Sequence, residues 1–269
     1  MSSQTSDLKI MKEKIVKILI QKGEELLNKP KNREGVDFFL GIDNKKIKDE
    51  TKKAANKLLN NFTEYPHAFV LACVMDKQMK AERSWLIPLA ISEEIRGFYF
   101  QKLFLMKLEK IKEIFKRRNL ARFYNKRAEE FHLTIKKIHD DYKGNASNIW
   151  KNKPKSGEII IRFLQFYGVG PKIATMAVNI LARDFKITMQ DFHCIDISPD
   201  IHVKRVFKRL GLVSNNASND ELIYRARVLN PEYPGVFDLP CWEIGRTWCR
   251  PKNLKCHECY LDKYCPKNI

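Results

Sequence analysis

Gly168-Val169-Gly170-Pro171-Lys172 separates two short apolar stretches, residues 158–167 and 173–181, and each of these reads as a helix. Two glycines one residue apart permit a tight reversal and leave backbone N–H groups uncovered. Pro171 suits the first turn of the second helix, where its missing N–H costs nothing. Uncovered amides at a helix N-terminus make an anion site. The plainer reading is a glycine-terminated helix pair, so the motif needs support from the rest of the chain.

Working outward, the pattern stays helical. Leu8, Met11, Ile15, Ile18 and Leu19 share one face of a helix over 8–28, and residues 29–35 break it. Residues 47–61 predict a Lys-rich surface helix. Tyr65-Pro66 introduces a buried helix from Ala68 through Met75 to about Gln78. Phe104, Leu108, Ile111 and Phe115 predict one stripe of a longer helix. Residues 124–142 predict another, ended by Lys143-Gly144-Asn145. Downstream, Val203, Val206, Phe207 and Leu210 share a face of a helix that stops at Gly211, with Lys204, Arg205, Lys208 and Arg209 on much of the remainder. Asp200 reads as the N-cap of this helix. No run alternates as a strand does, and the fold class is all-α.

The chain has 269 residues, 44% of them hydrophobic and 30% charged, which is ordinary for a folded domain and excludes disordered and collagen-like classes. Its longest apolar run, Ala68–Met75, is too short to span a membrane, and the first residues predict no secretory leader. Fifty Lys+Arg against 32 Asp+Glu leave a net charge of +18. That favours a polyanionic partner, nucleic acid before an anionic membrane, over a merely solvated surface. Four of the seven cysteines, Cys249, Cys256, Cys259 and Cys265, are spaced C-x6-C-x2-C-x5-C. Four thiolates so close need a cation, and the candidates are tetrahedral zinc and an iron–sulfur cluster. The unequal spacing leans to the cluster. Cys73 reads as core, and Cys194 and Cys241 have no ligand-like spacing.

Three motifs therefore occur in order: G-V-G-P-K at 168–172, P-D-I-H-V-K-R-V at 199–206, and the cysteine array. Together they resemble the helix–hairpin–helix (HhH-GPD) DNA glycosylase superfamily, in its endonuclease III-like branch. Phe123-Tyr124-Asn125-Lys126-Arg127-Ala128 is similar to the branch's Tyr-Asn-x-Lys-Ala segment, and residues 72–82 fall where it has a Gln-bearing segment. The resemblance spans about residues 60–269. It implies two helical lobes: a six-helix lobe over 53–190 with the hairpin at 158–183, and a second lobe over 191–269 with a [4Fe-4S] cluster loop, on which residues 1–52 pack.

By this resemblance the protein is a base-excision-repair enzyme that flips a damaged base out of duplex DNA and cleaves its glycosidic bond. Asp200 matches the catalytic aspartate, which stabilises positive charge on the sugar. Lys172 matches the catalytic lysine, a nucleophile made neutral by burial and neighbouring cations, and so implies AP-lyase activity through a Schiff base. Gly168, Val169 and Gly170 hold a phosphate, and Gln78 fills the gap left by the flipped base. His202 follows Asp200, and Arg250, Lys252 and Lys255 on the cysteine loop face the DNA backbone. Cys249, Cys256, Cys259 and Cys265 ligate the [4Fe-4S] cluster. Double-stranded DNA is the expected partner, with no membrane, a monomeric state and a cytoplasmic or nucleoid location. The basic helix 204–209, the cysteine loop and Lys172 are expected to line the DNA cleft.

Lys172 and Asp200 are 28 residues apart, further than in endonuclease III itself. The extra segment, 183–198, brings in Asp196 as a rival to Asp200. The alternatives are a monofunctional glycosylase for mismatched or alkylated bases and a DNA-binding protein without catalysis.

Overall fold

A computed structural model describes residues 2–30, 32, 34–40 and 47–268, with side chains from Lys9 onward, so Leu8 of the first expected stripe lies outside the described side chains. Every regular element among the described residues is helical, and no strand occurs. No helix is long and apolar enough to cross a membrane among those residues. In chain order the helices are α1 (Ser2–Asn28), α2 (Asp49–Asn60), α3 (Pro66–Met75), α4 (Ala81–Ile95), α5 (Phe100–Phe104), α6 (Leu108–Arg117), α7 (Tyr124–Tyr142), α8 (Ser156–Leu164), α9 (Pro171–Arg183), α10 (Ile201–Arg209), α11 (Asn219–Leu229) and α12 (Asp238–Thr247). The chain forms two compact units. One comprises 31–154 and 158–177; the other comprises 1–30, 155–157 and 178–269.

The first unit is built round α3. All of its residues are buried, as a helix apolar on every side requires, and α2, α4 and α7 pack on it. Pro66 opens it at the first turn. It stops at Met75, short of the expected Gln78. Asp76 N–H returns to the Cys73 carbonyl, and Gln78 has φ +55 in the turn that follows. A helix buried all round cannot run on through Asp76, Lys77 and Gln78 without burying their polar groups.

Two further expectations change here. The stripe Phe104–Phe115 belongs to two helices, interrupted by residues 105–107, with Leu105 70% exposed. Phe104 stacks on His139 with ring centroids 3.9 Å apart, whereas Phe115 meets Phe131 in the core. The helical spacing thus bridges a break. The Lys-rich α2 is not only surface: Ala55 and Leu59 are fully buried. Its Asn60 Oδ1 accepts from Val36 N–H at 2.6 Å, and its Asn56 Oδ1 accepts from Phe38 N–H at 3.1 Å. The helix therefore pins the preceding loop. α7 has the predicted bounds and ends with Lys143 left-handed and Gly144 N–H bonded to the Ile138 carbonyl.

In the second unit α1 buries Ile15 and Leu19 and packs on α12 and the short 3-10 turn Pro234–Phe237. Lys186 Nζ donates to the carbonyls of Leu26 (2.9 Å) and Leu27 (2.7 Å), supplying cationic donors to the C-terminal end of α1. The 183–198 segment thus caps the N-terminal helix. Its Asp191 accepts from the Ser156 hydroxyl, and its Asp196 forms a two-pronged ion pair with Arg227 at 2.7 and 2.8 Å.

In the first unit His67 is 1% exposed, stacks on Phe98 and shares a 2.7 Å hydrogen bond with the Phe98 carbonyl. A carbonyl only accepts, so Nε2 carries the proton. Burial pushes the His67 pKa down to about 4. The folded ring stays neutral while an unfolded one takes a proton below its ordinary value. Stability is therefore complete above about pH 6.5 and falls as pH drops toward 4, by about 3 kcal/mol. Urea unfolding of the wild type and His67→Gln across this range should show that slope in the wild type and its loss in the variant.

Candidate functional site: hairpin, capped helix and cysteine centre

The hairpin lies in the first unit, between α8 and α9. Gly168 has φ +74, a conformation that disfavours any residue with a Cβ. Gly170 differs: a Cβ there would meet nothing within 4 Å. The protein interior does not require this glycine, and the space beside it is open for a ligand to approach the backbone. Val169 N–H is bonded to the Phe166 carbonyl, and the Val169 side chain is buried. The amides of Gly168, Gly170 and Lys172 have no acceptor among the described residues. Of the three expected phosphate-holding residues, the glycines offer free N–H groups and Val169 does not.

Lys172 stands in the first turn of α9, exposed. The burial expected to neutralise its amine is therefore not provided by the protein. In the same unit Gln78 lies on the turn after α3, and its Oε1 accepts from Arg127 Nη2 at 3.0 Å. It is fixed by that contact and is no free helix-surface glutamine.

Asp200 lies in the second unit as the N-cap of α10. Its Oδ1 accepts from the N–H groups of His202 and Val203, both at 2.8 Å. Both cap bonds fall on one oxygen, so Oδ2 has no hydrogen-bond donor among the described residues. Asp196, the rival, is 9% exposed and held by Arg227 in a structural pair. His202 packs tightly on α12: a Cβ at Gly245 would lie 2.8 Å from His202 Cβ. Its Nδ1 lies 2.9 Å from Arg205 Nη2. A guanidinium only donates, so Nδ1 accepts and the ring proton is on Nε2. Burial holds the His202 pKa below the usual histidine range, in keeping with that neutral form.

The basic side chains of α10, expected to line a DNA cleft, are each engaged within the second unit. Arg205 donates to the carbonyls of Cys249 and Gly245, each at 2.7 Å. Arg209 Nη1 donates to the Arg250 carbonyl at 2.8 Å and lies 3.4 Å from Cys249 Sγ. Lys208 donates to the Asn215 carbonyl, and Lys204 donates to Asn219 Oδ1.

Cys249, Cys256, Cys259 and Cys265 line one cavity, walled by Val206, Leu210, Ile244, Trp248 and Leu261. None is in a disulfide. Burial, aided by the charge of the other three sulfurs and opposed by a hydrogen bond from the Leu261 backbone, pushes the Cys259 thiol up to about 11, and burial raises Cys265 as well. No three His, Cys, Asp or Glu side chains among the described residues are close enough to hold a single metal ion. Cys73 and Cys241 are fully buried, and Cys194 is exposed.

Beside the cysteine loop lies an open basin of about 470 Å³, lined by His202, Gly245, Arg246, Arg250, Pro251 and Lys252. Lys255, expected with them, pairs instead with Glu258 at 3.0 Å. Arg246 was not singled out in the sequence. It lies over the Trp242 ring at 4.6 Å, and its position one helical turn before Arg250 was the available signal.

No protein-family model matches the chain. Endonuclease III of Thermotoga maritima is 28% identical over 102 residues, 38% of this chain and 43% of that protein. The chain thus matches less than half of that relative's length. Among solved structures, a non-covalent endonuclease III–DNA complex aligns with a TM-score of 0.56 at 19% identity, over 82% of this chain and 96% of that one. A thermostable thymine-DNA glycosylase aligns with 0.57 at 17% identity, over 98% of both chains. The Clostridium acetobutylicum 8-oxoguanine glycosylase/lyase with bound double-stranded DNA aligns with 0.50 at 18%, over 82% and 75%. The fold is that of the endonuclease III-like helix–hairpin–helix glycosylases.

Arg205→Met keeps the apolar stem and removes every hydrogen bond of the guanidinium. It leaves the part-buried carbonyls of Gly245 and Cys249 without these donors, and it should destabilise the second unit by about 2–4 kcal/mol. Guanidinium chloride unfolding followed by tryptophan fluorescence measures this through Trp242 and Trp248.

Proposed function

We propose that this protein is a DNA glycosylase of base-excision repair, acting as a monomer on double-stranded DNA and carrying AP-lyase activity. The observation that carries the reading is the setting of Lys172. An exposed amine follows Gly170, whose open Cβ space and free amide suit a close phosphate. It does so in a fold shared with endonuclease III.

In this reading the N–H groups of Gly168, Gly170 and Lys172 hold a backbone phosphate, and Arg246, Arg250 and Lys252 of the basin hold others. Gln78 occupies the gap left when the target base is turned out. The Lys172 amine attacks C1′ as the base departs with the glycosidic electron pair and a proton. Desolvation of that amine comes from the DNA, since the protein leaves it exposed. The carboxylate of Asp200 stabilises the positive charge that develops on the sugar. Its first oxygen is committed to the α10 cap, which leaves the second without a protein donor among the described residues. The nitrogen lone pair then expels O4′, which takes up a proton, so the C1′–O4′ bond breaks and a protonated Schiff base forms on the opened sugar. Loss of a C2′ proton and expulsion of the 3′ phosphate complete the β-elimination.

Cys249, Cys256, Cys259 and Cys265 would hold a [4Fe-4S] cluster, which when bound supplies a rigid structural centre. Support comes from the four thiols that line one largely apolar cavity. Arg209 Nη1 at 3.4 Å from Cys249 Sγ and Lys267 N–H at 3.4 Å from Cys265 Sγ would stabilise thiolate charge.

The test is borohydride trapping on a panel of duplexes carrying oxidised pyrimidines, oxidised guanine, alkylated bases or mismatches. The wild type should give a covalent adduct on at least one duplex. Lys172→Gln should lose the adduct, and Asp200→Asn should slow base release by about 10²-fold or more. Base release without an adduct, unchanged in Lys172→Gln, would replace this reading with a monofunctional glycosylase. DNA binding with no base release on any duplex would leave a binding protein only. Separately, anaerobically purified protein should be brown, absorb near 400 nm and carry about four irons. Cys259→Ser should lose the colour, and a colourless protein with one zinc would refute the cluster.

A further inference from the structure

Beneath the hairpin turn lies a charge cluster that the proposed chemistry does not use. Glu130 of α7 is 2% exposed, and its Oε2 meets Lys77 Nζ at 2.9 Å and the Arg127 guanidinium. Each cation also reaches a second segment. Lys77 Nζ donates to the Gly168 carbonyl at 3.1 Å, and Arg127 Nη2 donates to Gln78 Oε1 at 3.0 Å. Lys77 and Gln78 are neighbours on the turn after α3. One carboxylate therefore ties together that turn, α7 and the hairpin.

The backbone bears the mark of this tie. Gln78 is held at φ +55, a left-handed conformation unfavourable for an ordinary residue. A Cβ at position 168 would lie 2.6 Å from Lys77 Nζ and 2.9 Å from Glu130 Oε1. The first hairpin glycine is required by its φ of +74, and the ends of the Lys77 and Glu130 side chains lie against it. Burying three charges is a poor route to stability, because desolvation offsets most of the attraction. Fixing three segments in one geometry is what directional charged hydrogen bonds do well.

We propose that Glu130 is a positioning residue. Through Lys77 and Arg127 it holds the Gln78 turn and the Gly168 hairpin as one body, so that gripping the phosphate and filling the vacated base position occur in register. This rests on the function proposed above.

The experiment compares the affinity of the full chain for two duplexes, alike except that one carries a tetrahydrofuran abasic-site analogue. The wild type should prefer the analogue duplex. Gln78→Ala should reduce that preference about tenfold, and Glu130→Gln by a similar factor. The double variant should lose no more than either single one, as for residues acting as a unit. Unchanged preference in Glu130→Gln, or losses that multiply in the double variant, would overturn the proposal. A merely structural Glu130 would lower the melting temperature and leave the affinity ratio alone. Should Glu130→Gln fail to fold, Lys77→Met decides, since it leaves the Arg127–Glu130 pair whole. It should show the same loss, with Lys77→Arg recovering most of it, and preference retained in Lys77→Met would overturn the proposal. A wild type without preference, and without base release on the damage panel, would overturn the functional reading itself and this inference with it.

Discussion

Four acceptors converge on the guanidinium of Arg205: the carbonyls of Cys249, Gly245 and Ile201 and the Nδ1 of His202. Much of the second unit follows from that convergence. It sets the spacing between α10 and the end of α12, where the cysteine loop begins. Gly245 permits the approach, since a Cβ there would lie 2.8 Å from the His202 Cβ and 3.1 Å from its carbonyl oxygen. His202 in turn supplies one of the two N–H groups on Asp200 Oδ1. The orientation of the candidate carboxylate and the anchoring of the first cysteine therefore depend on one half-buried, fully engaged cation. Arg209 reinforces it one turn later on the Arg250 carbonyl.

The net charge of +18 looks different once its members are located. Arg205 and Arg209 bind carbonyls, Lys186 caps α1, Arg227 holds Asp196, and Lys77 and Arg127 share Glu130. Lys255 is paired with Glu258. These cations serve the fold first. Arg250, Lys252 and Lys172 are exposed beside an open basin or an open glycine, and Arg246 is half-buried over Trp242.

Parts of this arrangement were legible in the sequence because they rest on local backbone chemistry. The hairpin follows from glycine and proline, the α10 cap from an aspartate before an apolar face, and the end of α7 from a lysine–glycine pair. Other parts were misread where a local pattern had two solutions. The spacing of Phe104, Leu108, Ile111 and Phe115 fits one helix, yet Phe104 finds His139 and the chain breaks after it. No helix was anticipated for α4, which has Pro88 in its interior, or for α12, which has Pro240 in its first turn and Gly245 near its end. Tertiary packing outweighs those breakers.

The sequence by itself determined an all-helical chain, a glycine hairpin followed by an amine, a capped carboxylate and a four-cysteine array. Each is written in residue types and short spacings, where steric and hydrogen-bonding terms act over a few residues. Only the tertiary structure decided which cation meets which acceptor. Lys77 reaches Glu130 across 53 positions and Gly168 across 91. Arg205 reaches Cys249 across 44. Such pairings have no period in the chain. They arise because packed helices bring distant side chains together out of water, where a charge left unpartnered is too costly to keep.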